Sequence, residues 1–331
     1  MLTLGRARLF VLACCTLLPL CASAWDRGRV ERFATLPAGS AGPEGIAVDK
    51  RGNVYATTFA APPSGAGQLF VFDDDGRLLR QVTVAGSSSQ LLGLDFHPAT
   101  GALLVIDFGN GKVLKVNPVS GASSVFATVI GSPGLNALTF DQHGNVYISD
   151  SFQGIIWKTG PNGGAATQWT GHQLLTTSGV PPFGANGLGF NKAHSMLYVA
   201  NTGNDTIVQI PVSGGAAGTP SVLTNSINGA DGLILDNDDN IWVAANQADE
   251  IVVIDKTGKA IAKLGDFEGI DRDGGPRGFL FPASLVRHEE WIYVTNLSLD
   301  LRKFGSQTVD SQWAAEVTAQ TISRIRARIP R

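Results

Sequence analysis

Four oxygen-bearing side chains, Glu44, Asn136, Asn186 and Asp231, occupy one recurring place in the sequence. Each precedes a Gly or Ala and then an apolar run, as in EGIAVD, NALTFD, NGLGF and DGLILD. A strand bound for a core is better served there by Val or Ile. Two carboxylates and two amides aimed at one axis, with no Lys or Arg among them, repel or stay unsatisfied unless something positive sits between them. A hard cation is the natural occupant: Ca²⁺ takes about six to eight oxygen ligands and tolerates irregular geometry. Zinc would want His or Cys, and neither stands at these positions. Mg²⁺ and Mn²⁺ share the oxygen preference and remain alternatives.

The elements that would bring these residues together follow from a repeat. Six segments of one plan begin at Glu44, Leu92, Asn136, Asn186, Asp231 and Ala283, spaced 48, 44, 50, 45 and 52 residues apart. That spacing suits one four-stranded propeller blade, about 40–50 residues. DKRGN, DQHGN and DNDDN read as hairpin loops between short apolar strands, and 40 glycines with only 16% charged residues suit many tight turns. The sequence therefore predicts an all-β, six-bladed β-propeller with four antiparallel strands per blade. RVERFATL (29–36) would close the ring as the outer strand of the last blade, beside TISRIRA (321–327). The first residues of the innermost strands then meet at one mouth of the central channel.

The second strand of each blade returns to the same mouth and ends at Thr58, Asp107, Asp150, Asn201, Ala245 followed by Asn246, and Asn296. Asp107, Asn201 and Asn136 are candidate substrate contacts, as is His172 in the long insertion TGHQLLTTSGVPPFGANG. The acidic insert DFEGIDRDGGPRG (266–278) would join that insertion as a rim. Asp49, Asp141 and Asp236 read as turn caps on the opposite face, and His97, His143 and His194 as turn residues.

Residues 1–24 read as a secretory leader: Arg6 and Arg8, an apolar run, then Ala22-Ser23-Ala24, with cleavage expected after Ala24. The expected product is one domain over 25–331, secreted or periplasmic, with no membrane span. All three cysteines fall in the leader, so neither disulfide nor thiol chemistry is expected in the product. Losing Arg6 and Arg8 takes the formal net charge from −3 to −5. No basic stripe is available to replace phosphate counterions, which speaks against a nucleic-acid partner.

At PEGIAVD, GLNALTFD, GANGLGF and GADGLILD the sequence resembles the regucalcin/gluconolactonase-like family, and more distantly paraoxonases and strictosidine-synthase-like propellers. The resemblance covers about residues 40–326 and implies a divalent cation in the channel and hydrolysis of lactones or related esters. By position, Glu44, Asn186 and Asp231 match the family's central ligands, and Asn136 a further metal- or water-facing place. Leu92 and Asp107 stand where paraoxonase-type enzymes carry a His pair. The expected enzyme is a Ca²⁺-dependent lactonase or esterase acting on a small molecule, with the cation polarising the carbonyl. Asp231 is the first choice for the group that activates water, and Asp150 the second. The competing reading is a non-catalytic NHL-like propeller that binds a ligand or protein around a structural cation.

Overall fold

The computed structural model describes residues 26–305 and 310–330, so the expected leader and its cleavage point lie outside the described residues. Strands dominate. Among the described residues the helical pieces are one short helix, Asp310–Ala314, and three single-turn segments.

A first antiparallel unit runs Gly42–Val48, Val54–Phe59, Gln68–Phe72 and Leu78–Thr83. The same up-and-down order starts again at Leu91–Phe96, Leu135–Phe140, Ala185–Phe190 and Ala230–Leu235. A last unit takes Pro282–His288, Trp291–Asn296 and Thr321–Arg326, and the N-terminal strand Glu31–Thr35 pairs antiparallel with Thr321–Arg326. The units starting at Leu91 and Leu135 also touch through a short parallel bridge, Gly164 opposite Ala127. First strands pack side by side in chain order, and Pro282–His288 packs against Gly42–Val48. Second strands such as Val54–Phe59, Leu103–Asp107 and Ile241–Ala245 are buried at every residue. Sandwiched on both faces, they read as nearly continuous apolar runs rather than alternating ones.

The hairpin loops repeat one device. Asp49 accepts from the Arg51 and Asn53 amides, the Asn53 side chain and the Tyr55 hydroxyl. Asp141 and Asp236 do the same, with Tyr147 and Trp242 as the aromatic donors. Burial works against ionisation at all three, but these hydrogen bonds outweigh it and hold each carboxyl below its ordinary range.

A β-bulge at the head of every first strand sets the direction of the residues that matter. Pairing jumps from Pro43↔Thr58 to Ile46↔Ala56, so Glu44 and Gly45 together face Thr57. Identical jumps leave Leu92-Gly93, Asn136-Ala137, Asn186-Gly187, Asp231-Gly232 and Ala283-Ser284 out of register. A bulge twists the strand and re-aims one side chain, here the first residue of each pair. The second must be small: a Cβ on Gly187 would lie 2.5 Å from the Asp231 carbonyl oxygen, and one on Gly232 2.7 Å from that of Ala283. Hydroxyls on the second strand satisfy amides that the bulge frees. The Gly45 amide donates to Thr57 Oγ1, which donates to the Leu92 carbonyl. Thr295 takes the Ser284 amide and holds the Glu44 carbonyl at 2.6 Å.

Candidate metal centre and active site

The bulges bring Glu44, Leu92, Asn136, Asn186 and Asp231 into the wall of one cavity of about 30 Å³, with Thr202 and Asn246. Phe59, Pro181, Phe183, Phe281, Leu297 and Leu299 complete it. Ala283, the sixth strand head, is absent from that wall. A cavity of this size holds one or two water-sized particles. The polar members are deeply buried: Glu44 is 3% exposed and Asp231 5%.

Asn246 Nδ2 donates to Asp231 Oδ2 at 2.9 Å, and Asn186 Nδ2 donates to Thr202 Oγ1, whose hydroxyl donates to the Ala230 carbonyl. Glu44 Oε2 is buried with no hydrogen-bond partner. Burial first, and then repulsion from Asp231, pushes the Glu44 carboxyl well above its usual range. Burial likewise pushes Asp231 up to about 7, against the pull of hydrogen bonds from Asn246 and Asn186. No Lys, Arg or His lines the cavity. Among the described residues no three His, Cys, Asp or Glu side chains cluster as ligands for a metal. The oxygen-only set, two carboxylates, one of them with an unpartnered oxygen, and three amides, fits a hard cation.

Of the residues expected from the second-strand ends, Asn246 lines the cavity, whereas Asp107, Asp150 and Asn201 lie elsewhere. Asp150 Oδ1 accepts from the amides of Gly134, Phe152 and Gln153, and Oδ2 from the Gln153 side chain and Trp157 Nε1. Both oxygens are engaged and neither borders the cavity, so Asp150 is not placed to activate water there. Asp107 is tied to Ser88 and Asn110, with Lys112 Nζ at 3.6 Å. Asn201 donates to the Leu174 and Thr176 carbonyls, and His172 Nδ1 accepts from the Leu174 amide as a turn cap. These residues fasten incoming loops to the sheets.

The side chains that reach the cavity come one residue later: Phe59, Thr202, Asn246 and Leu297 directly follow Thr58, Asn201, Ala245 and Asn296. Side chains alternate along a strand, so a shift of one position exchanges the faces. Asp150→Ala is accordingly expected to act on stability. It strands the buried Trp157 and Gly134 donors and costs roughly 3 kcal/mol in denaturant unfolding. Activity per folded molecule should stay within about threefold of wild type.

Residues 133–265 match the sequence profile of the SMP-30/gluconolactonase/LRE-like region, and residues 31–59 that of the strictosidine synthase-like N-terminal region. No curated protein matches the sequence significantly. Among solved structures the chain is similar to a candidate gluconolactonase, with a TM-score of 0.65 at 15% identity, covering 91% of this chain and 92% of that one. It is also similar to a luciferin-regenerating enzyme, with TM-score 0.63, 16% identity and coverage of 90% and 95%. A gluconolactonase from Xanthomonas campestris gives TM-score 0.60, 12% identity and coverage of 91% and 90%. Residues 133–265, which hold Asn136, Asn186 and Asp231, thus match the family that the strand heads resemble, and the fold is similar to that of gluconolactonase structures.

Proposed function

We propose that the chain is a single six-bladed β-propeller closed by its N-terminal strand, which holds a divalent cation, calcium first, and hydrolyses small lactones or related esters. The leader supports export, to the periplasm or out of the cell. The observation that carries the activity is the buried pair Glu44 and Asp231, with the Glu44 oxygen unpartnered and no basic side chain in the wall.

Glu44, Asn136, Asn186 and Asp231 would hold the cation. Bound there, it would supply Lewis-acid polarisation of the substrate carbonyl. Asp231 is the group of this chain suited to take a proton from water, since Asn246 fixes one of its oxygens. Thr202 and Ala230 anchor Asn186, and Thr295 anchors the backbone of Glu44, so the acceptors are positioned before substrate arrives.

The test is an assay of the purified protein on lactones and aryl esters, metal-stripped and with added calcium, magnesium or manganese. Calcium-restored lactone hydrolysis is the expected result. Turnover of no substrate under any metal would sink the enzyme. A rise in melting temperature with calcium but no turnover would leave a binding propeller with a structural cation.

A further inference from the structure

The mouth of the cavity carries an apolar surface that the ring of oxygen acceptors does not need. Phe59 and Phe183 line the cavity together with Glu44 and Asp231. From there an aromatic chain runs outward: Phe59 meets Phe108 at 5.9 Å between ring centroids, and Phe108 meets Phe183 at 6.1 Å and Phe152 at 5.6 Å. Phe152 stacks on Phe183 at 5.7 Å with planes 29° apart, yet stays 52% exposed. Gly134 allows that placement, because a Cβ there would come within 2.6 Å of the Phe152 ring. Ile130 and Val180, in loops beside it, are 77% and 47% exposed. The Gln153 side chain holds the Ile130 carbonyl, and Gln247 holds that of Val180, so both loops are tethered.

Large apolar side chains left in water at the lip of a buried polar site mark a place where an apolar ligand group is covered. A second groove of about 770 Å³ between the first and last units shares Phe59, Leu297 and Leu299 with the cavity. None of the ring residues Glu44, Asn136, Asn186 or Asp231 borders it. Two rings of the aromatic lip, Phe59 and Phe183, share the cavity wall with all four of them.

Building on the hydrolase reading, we infer that Phe59, Phe108, Phe152 and Phe183 form a subsite for an alkyl or aryl substituent on the substrate, so that the protein selects lactones bearing an apolar side chain over polyhydroxylated ones. Phe183 covers the part of the substituent nearest the ring, and Phe152 the part farther out. Six-carbon chains are long enough to reach from one ring to the next.

The probes are 2-pyrrolidinone and 5-hexyl-2-pyrrolidinone, lactams that an ester hydrolase leaves intact, titrated calorimetrically into the calcium-loaded protein. The hexyl compound is expected to bind at least about tenfold tighter, since burying even part of the chain suffices. Phe152→Ala, at an exposed position, should reduce that ratio below about threefold with the circular dichroism spectrum unchanged. Equal binding of the two lactams, no binding of either, or a ratio that survives Phe152→Ala each overturns the subsite. A chain-length preference in binding without turnover of any lactone keeps the subsite and removes the hydrolase. Turnover of D-glucono-δ-lactone and γ-decanolactone with equal kcat/KM keeps the hydrolase and removes the subsite.

Discussion

Asp231→Asn is expected to lower kcat/KM by about 1,000-fold or more while leaving the metal-stripped protein at least as stable as wild type. The two effects have different origins. Activity falls because one of two carboxylates facing the cation site is lost, along with the group suited to take a proton from water. Stability holds because the wild-type carboxylate is costly: it is 5% exposed, sits opposite Glu44, and has its proton affinity raised by burial. An amide of the same shape removes the charge and keeps a hydrogen-bond acceptor for Asn246 Nδ2. A residue needed merely for folding would lose both properties together. Glu44→Gln should follow the same pattern, since its Oε2 has no partner to lose. Steady-state kinetics with calcium and melting curves after stripping read both quantities. An Asp231→Asn protein retaining more than about a tenth of the activity would remove Asp231 from the chemistry.

The repeat and the strand heads were legible in sequence because each obeys a local rule. A period of 44–52 residues, Asp at the start of three hairpin loops and a polar residue before four of the six apolar runs can be counted without coordinates. The small residue after each strand head was visible too, but its reason was not. It is a bulge residue pressed against the neighbouring strand's carbonyl, a contact between segments some 45 positions apart. At three second strands the cavity is lined by the residue after the one the sequence points to: Phe59, Thr202 and Leu297. Asp107, Asp150, Asn201 and Asn296 are polar and stand at strand ends, yet they tie down loops, and after Asn201 and Asn296 it is the next residue, Thr202 or Leu297, that lines the cavity. Counting register through the bulge, which adds one residue to the first strand only, is what the sequence did not permit. Phe183 and Pro181 were hidden for another reason: they arrive on a long insertion whose path follows from packing and not from any period.

The second large effect concerns pH. Asp231 sits at about 7 in the folded protein, against about 3.9 for an aspartate in an unfolded chain. Between those values the folded state keeps a proton that the unfolded state has released, so unfolding liberates it and rising pH favours unfolding. The stripped protein should therefore lose stability as pH climbs from about 4 to about 7, by up to roughly 4 kcal/mol from this one group. Glu44, raised by burial and by repulsion from Asp231, adds loss of the same sign. Asp49, Asp141 and Asp236 work oppositely: their lowered values contribute stability that disappears only as pH falls into the acid range. Melting of the stripped protein should thus be highest near pH 4–5 and lower by roughly 5–10 °C at pH 8. Calcium favours the ionised carboxylates, so its stabilisation should be large at pH 8 and small at pH 5, where protons compete for the same oxygens. Asp231→Asn should flatten both the pH slope and the calcium effect. If calcium instead raised the melting temperature equally at pH 5 and pH 8, its binding would not involve this buried pair.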